Sequence, residues 1–276
     1  MPELPEVETI ARGLAPLLAG RRIARLEVLD RRAFPGDQER FALLFAGRRI
    51  EGVTRRGKLC ILRMEGGGTI GVHLRMTGRL FVDRPRDPAP AHLRLLLHLD
   101  DGRALHFSDL RRFGSVNGFA PGELEAWPFY AALGPEPLDL SPDAFRQALA
   151  GRGGAVKAVL LDQRVLAGVG NIYADESLFA ARIRPCTPAR DIPPERLDAL
   201  LEALTATLLR AIDAGGSTIR DYRTAQGVEG SFQWTFAVYG RAGQPCTACG
   251  KPLFSARVAG RSTVFCTHCQ PGACGT

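Results

Sequence analysis

The chain of 276 residues lacks the signatures of most conventional enzymes. It has no G-x-S-x-G elbow, no H-E-x-x-H helix and no Walker phosphate loop. A literal G-x-G-x-x-G at 66–71 precedes a strand-like run instead of opening a helix, so it reads as a hairpin turn. The five histidines are scattered. Conventional hydrolase, dehydrogenase and kinase readings fail. No uninterrupted apolar run is long enough to span a bilayer, and the acidic, proline-bearing amino end is unlike a secretory signal. The expectation is a soluble cytoplasmic protein with no membrane partner. Acid is also short: 29 Asp+Glu against 36 Lys+Arg leaves a net charge of +7. That balance favours a polyanionic partner, most often nucleic acid.

What is present has a clear order. Leu4, Val7, Ile10, Ala11, Leu14, Leu17 and Leu18 form a helical stripe closed by Gly20. From about 23 to 119 the texture is short strands, with a tight turn at 55–57 and the alternating run Leu93, Leu95, Leu97, Leu99 before a "DDGR" hairpin. The proline-rich stretch 84–91 reads as a mobile loop. Prolines multiply around 120–142, and helical spacing follows, ending in a long helix stopped by Gly215 and Gly216. The expected division is 1–134, a linker at 135–141, a helical domain at 142–239 and a cysteine module at 240–270.

Five of the seven cysteines crowd the carboxyl end, which is unlike a disulfide framework. Cys246-x-x-Cys249 and Cys266-x-x-Cys269 have the spacing of a four-thiolate zinc site. Such a site is closed, so one Zn2+ there is structural, and the ribbon folds only with its metal. Its job is to present the hairpin between the pairs, which carries Arg257 and Arg261. Cys60, in an apolar run, reads as a buried thiol.

The opening "MPELPEVETI" permits two readings. Pro2, Glu3 and Glu6 are good helix-start residues, or they are chemical groups held at the terminus. "PELPEVET" at 2–9, "RRGKLCIL" at 55–62, "HLRMTGRL" at 73–80, "DLRRFG" at 109–114, "GVGNIYADE" at 168–176 and the four-cysteine module occur in that order. Together they closely resemble the formamidopyrimidine-DNA glycosylases, bacterial enzymes that excise 8-oxoguanine and ring-opened purines. The resemblance runs from Pro2 to Cys269. It implies an α+β fold: an amino-terminal helix with a two-layered β-sandwich, then a helical domain with a helix–two-turns–helix motif and a four-Cys zinc finger.

The resemblance also implies roles. With Met1 removed, Pro2 is a secondary amine whose pKa, near that of a free α-amino group, leaves a useful neutral fraction. Attack on a sugar C1′ gives an iminium that is charged without protonation and so drives strand cleavage by elimination. Glu3 resembles the acid that protonates the opening sugar, a role that needs a carboxyl with a raised pKa. Glu6 resembles a second essential carboxylate. Lys58 resembles the lysine assisting base loss and β-elimination, and Arg261 the finger arginine of the δ-elimination step. Alone, Lys58 would be a solvated edge charge.

Met76, Arg111 and Phe113 resemble the residues that fill the gap left by a flipped nucleotide. His73 or His92, Arg112, Arg152, Lys157 and Asn171 are the candidate DNA contacts. The segment 217–228, with Ser217, Thr218, Arg220 and Tyr222, resembles a loop closing over the flipped base. Arg75 and Leu110 depart from the family pattern. The implied partner is duplex DNA with an oxidised purine or abasic site, bound by a monomer at the bacterial nucleoid. Two alternatives stand beside this: a non-enzymatic zinc-finger binder of damaged DNA, and the sister glycosylase for oxidised pyrimidines. That branch begins "PEGPE" and lacks the "RRF" wedge, whereas this chain has Leu4 and Arg111-Arg112-Phe113.

Overall fold

The computed structural model describes residues 1–85, 90–219 and 222–272. Arg220, residues 86–89 of the proline-rich stretch 84–91, and Cys274 lie outside the described residues. By compactness the chain divides into two units, Met1–Ala131 with Ala214–Ser231, and Ala132–Asp213 with Phe232–Thr276. By that compactness the segment 214–231 groups with the amino-terminal residues.

In the first unit, α1 (Leu4–Leu18) starts at Glu3 in a capping box with Glu6. Leu4, Val7, Ile10, Ala11, Leu14 and Leu18 are buried, and Gly20 at φ +83° ends the run. Eight strands follow: β1 (Ile23–Val28), β2 (Ile50–Arg56), β3 (Leu59–Met64), β4 (Thr69–His73), β5 (Gly78–Asp83), β6 (Leu93–Leu99), β7 (Ala104–Asp109) and β8 (Ser115–Phe119). They form two four-stranded antiparallel sheets, ordered β1-β6-β7-β5 and β2-β3-β4-β8. One apolar core joins the α1 stripe to residues of both sheets, among them Ile50, Leu62, Val72, Leu95, Leu97 and Phe107. The glycine-rich 66–71 stretch is the hairpin between β3 and β4, closed by Met64 N–H to Gly68 O at 2.9 Å. Helix α2 (Gln38–Phe45) was not anticipated. It is capped by Asp37 and buries only Phe41 and Phe45, too little apolar surface for a legible stripe. Two short turns, α3 (Glu123–Ala126) and α4 (Pro128–Ala131), complete the unit.

In the second unit lie α5 (Pro142–Leu149), capped by Ser141, then α6 (Val156–Leu161), α7 (Asn171–Ala180) and the long α8 (Pro194–Asp213). The hairpin of β9 (Phe254–Val258) and β10 (Arg261–Phe265) carries the finger. Among the described residues, no helix is long and apolar enough to cross a membrane.

Candidate active site

The amino end of α1 is enclosed. Pro2, Glu3 and Glu6 are all buried, with Glu3 2% and Glu6 1% exposed. Burying a carboxylate is costly unless its oxygens are satisfied, and Glu6 shows how this is done. Its Oε2 accepts the Glu3 N–H at 2.8 Å. Its Oε1 accepts the Ser217 N–H at 2.8 Å and the Ser217 hydroxyl at 2.9 Å. The Tyr222 hydroxyl donates to Gly215 O at 3.1 Å, and burial together with the Glu6 charge holds that phenol above its ordinary pKa, so it stays a neutral donor. A Cβ on Gly230 would stand 2.2 Å from Gly216 O, so only glycine lets the 214–231 segment close on itself. The expected base-capping residues Ser217 and Tyr222 therefore point inward and fasten their loop to α1, while Ile219 stays 48% exposed.

Lys58 occupies the tight β2–β3 turn and is only 7% exposed, which removes the solvated-edge reading. The turn is tied to the same helix. Arg55 Nε donates to Glu8 Oε2 at 2.9 Å, and its Nη1 donates to Gly57 O at 3.1 Å, next to Lys58. One guanidinium thus bridges α1 to the backbone that presents the lysine. Burial opposes ionisation of Glu8, but bonds from Arg55 and Arg12 hold its pKa below the usual value.

Met76 and Phe113, the expected gap-fillers, are 41% and 55% exposed, and the Arg111 guanidinium lies 4.9 Å from the Phe113 ring centre. Arg112 is exposed, and its Nε pairs with Asp30 at 2.9 Å. His92 is exposed at φ +61°. His73 is buried, and its Nδ1 accepts the Arg75 N–H at 3.0 Å, which leaves the ring proton on Nε2. Burial, with the Arg75 and Lys58 charges, pulls its pKa down to about 3. His73 is therefore a neutral N–H donor.

In the second unit the Sγ atoms of Cys246, Cys249, Cys266 and Cys269 lie within 4.8 Å of one another. The Cys246–Cys269 and Cys249–Cys266 pairs are 3.9 and 3.5 Å apart. A tetrahedral ion with bonds of about 2.3 Å puts its sulfurs about 3.8 Å apart, so the cluster fits Zn2+. All four ligands are protein thiols, hence the metal is structural. The finger hairpin is held by α7: Asn171 Nδ2 donates to Ser262 O at 3.0 Å, and Asp175 Oδ2 accepts the Val264 N–H at 3.3 Å.

Comparison with known proteins agrees with this geometry. The formamidopyrimidine-DNA glycosylase N-terminal domain matches residues 1–116, the H2TH domain of the same enzymes residues 133–223, and the zinc finger found in FPG and IleRS residues 243–272. The formamidopyrimidine-DNA glycosylase of Chloroflexus aurantiacus is 46% identical over 274 residues, covering 98% of each chain. The chain belongs to the formamidopyrimidine-DNA glycosylase family.

Solved members of the family share the architecture. The MutM (Fpg) protein of Thermus thermophilus superposes with a TM-score of 0.88 at 44% identity, over 98% of each chain. Lactococcus lactis Fpg, in complex with DNA containing an abasic site, gives 0.90 at 32% identity, over 98% of this chain and 100% of that one. Against this background one site expectation is corrected. Lys157 is not a surface phosphate ligand. It is 0% exposed, with Nζ donating to Ser262 O at 3.1 Å and Thr263 Oγ1 at 2.7 Å, and pairing with Asp175 Oδ1 at 2.7 Å. It supports the glycosylase finger from beneath. Arg152 is exposed and donates to Ala148 O at 2.7 Å. Reading the sequence missed Glu8, Arg55, Asp109, Asp175 and Glu176. Glu176 accepts the N–H groups of Ala237, Val238 and Tyr239 at 2.7–2.9 Å. All five lie inside the quoted motifs, where nothing in the local pattern showed their partners.

Proposed function

We propose that this base-excision repair glycosylase removes 8-oxoguanine and formamidopyrimidines from duplex DNA. It then cleaves the abasic site by β,δ-elimination through an iminium at Pro2. The observation that carries this reading, in a chain of this family, is the enclosed amino end, where Pro2, Glu3 and Glu6 share one helix start. Relatives have been solved with Fapy-dG and abasic-site DNA, which supports the substrate class.

Once Met1 is removed, the Pro2 nitrogen has a lone pair. It attacks C1′ as the C1′–base bond breaks, and the damaged base leaves with that electron pair and takes up the amine proton; the C1′–O4′ bond then opens as the Glu3 carboxyl protonates O4′, leaving nitrogen and C1′ joined as an iminium. The resulting iminium acidifies C2′–H. Loss of that proton expels the 3′-phosphate, and a second elimination expels the 5′-phosphate. Glu6 keeps the Glu3 backbone in place, and Lys58 is the cation and proton carrier on the adjoining turn. His73 supplies an uncharged N–H, and Arg261 a charge, for phosphate oxygens. Bound zinc supplies no reaction step: it holds the hairpin that carries Arg261. The reading takes the working form to be a monomer, acting on the bacterial nucleoid without a membrane partner.

Borohydride trapping tests the reading. Protein without Met1 should cross-link to an 8-oxoguanine:C duplex, with the adduct mapped to Pro2 by mass spectrometry. Binding without any adduct would make the chain a damaged-DNA binder, and faster cleavage of thymine glycol:A would make it a pyrimidine enzyme. Full activity with Met1 still attached would refute the amine mechanism.

A further inference from the structure

We infer that Asp109, acting with Thr77, is a positioning residue that locks the two gap-filling loops into one preformed wedge. This rests on the reading of Met76, Arg111 and Phe113 as the groups that occupy the space of a flipped nucleotide. Those three side chains come from separate connections. Met76 sits in the β4–β5 turn, which is closed by Gly78 N–H to Leu74 O at 2.9 Å. Arg111 and Phe113 sit in the β7–β8 loop. Nothing in local sequence obliges the two to keep a common register.

Pairing of Gly78 with Asp109 in the β5–β7 ladder brings the two connections side by side, and the Asp109 carboxylate fixes the loop ends beyond that pair. It is 1% exposed, at the end of β7. Oδ1 accepts the Thr77 hydroxyl, one residue after Met76, and the Arg111 N–H at 3.2 Å. Oδ2 accepts the Gly114 N–H at 2.8 Å. Thr77 Oγ1 shares the Arg111 N–H at 3.0 Å. Both ends of the arginine–phenylalanine loop and the foot of the methionine turn thus meet on one buried anion. Charge-assisted bonds of this kind are roughly twice as strong as neutral ones. The Asp109 backbone is pinned too, by its N–H to His92 O at 2.9 Å and by Arg94 Nε donating to its carbonyl at 2.9 Å. At Gly114 a Cβ would come 2.7 Å from the Phe107 ring and 2.9 Å from His73 O, so the loop has no slack there.

The arrangement has a functional meaning because the tips above it, two apolar and one cationic, are exposed. Exposed loops ordinarily lose conformational entropy when they are ordered against a partner. A rigid polar base removes that cost before DNA is met, so the three tips enter the base stack together. Asp109 need not touch DNA to do this.

The experiment compares two substrates with the full-length, zinc-loaded protein. One is an 8-oxoguanine:C duplex under single-turnover conditions, which requires the stack to be filled. The other is a single-stranded oligonucleotide with an abasic site, trapped by borohydride, which has no stack to fill. Asp109→Asn and Thr77→Val should each slow duplex cleavage about 10- to 100-fold, as expected for a small misplacement. Trapping on the single strand should keep its wild-type rate, and Thr77→Ser, which retains the hydroxyl, should restore the duplex rate. Met76→Ala and Phe113→Ala calibrate the assay. If these two slow the duplex reaction while Asp109→Asn and Thr77→Val do not, the inference is overturned and the wedge reading stands. If Met76→Ala and Phe113→Ala leave the duplex reaction untouched, the wedge reading fails and the inference with it. Equal losses on both substrates for Thr77→Val would make the bond a general structural one and would also overturn the inference.

Discussion

His73 shows how one side chain can be set by its neighbours. An imidazole in water has a pKa near 6.5, so at neutral pH it carries a fractional charge. Here burial and two nearby cations hold the value at about 3. The folded pKa is below the unfolded one, so the group contributes stability that is fully present above pH 6.5 and is lost as pH falls toward 3. The expected NMR result is a His73 ring protonated on Nε2 alone, with nitrogen shifts flat from about pH 5 to 8. A titration midpoint near 6.5 would contradict it. Cys60 follows the same logic: burial, with the Glu8 charge, pushes its thiol up to about 12, and it is 0% exposed, an inert core residue as its apolar setting in the sequence indicated.

At the scale of elements, ionic groups pin secondary structures together. Arg55 fastens the Lys58 turn to α1 through Glu8, Glu6 fastens the 214–231 loop to the same helix, and Lys157 with Asp175 fastens β10 to α6 and α7. Burial raises the Asp175 carboxyl to about 6 despite the ammonium beside it. Removing one partner of such a pair strands the other. Lys157→Met should therefore lower stability by about 3–5 kcal/mol in urea titrations. The Lys157→Met/Asp175→Leu double variant should recover much of that loss, and neither should change the salt dependence of DNA binding. The finger depends on its metal in the same way. Chelation, or Cys266→Ser, should release zinc and abolish the ordered β9–β10 hairpin, as followed by metal content and amide exchange. With it should go the contribution of Arg261 to DNA binding. A hairpin that keeps its protection without zinc would refute this.

Over the whole molecule, electrostatics and topology set behaviour. A net charge of +7 favours DNA, and each phosphate neutralised adds about 0.9 to the slope of log K against log salt. Arg261→Ala should reduce that slope by about one unit in anisotropy titrations, while a substitution at Lys157 should not. The sequence legibly carried α1, the β2–β3 turn, the β6–β7 hairpin, the helices from α5 to α8 and the zinc ligands. Each of these depends on spacing within a few residues. It did not show α2, whose two buried phenylalanines are too few to make a pattern. Nor did it show that 214–231 groups with the amino-terminal residues, because the bonds that draw it there join residues more than two hundred positions apart.

The same division holds for the site. Residue order alone determined the helix stripes, the turn glycines and the paired cysteines of the metal site, since these are local consequences of backbone geometry, while the roles proposed for Pro2, Glu3, Lys58 and Arg261 came from the resemblance of whole motifs. Only the tertiary structure decided that Lys157 is a buried support, that Ser217 and Tyr222 face inward, and that Asp109 joins two loops. Burial and hydrogen-bond partnership are created by folding distant segments together, so whether a charged residue faces water or another residue cannot be read from its neighbours in the chain.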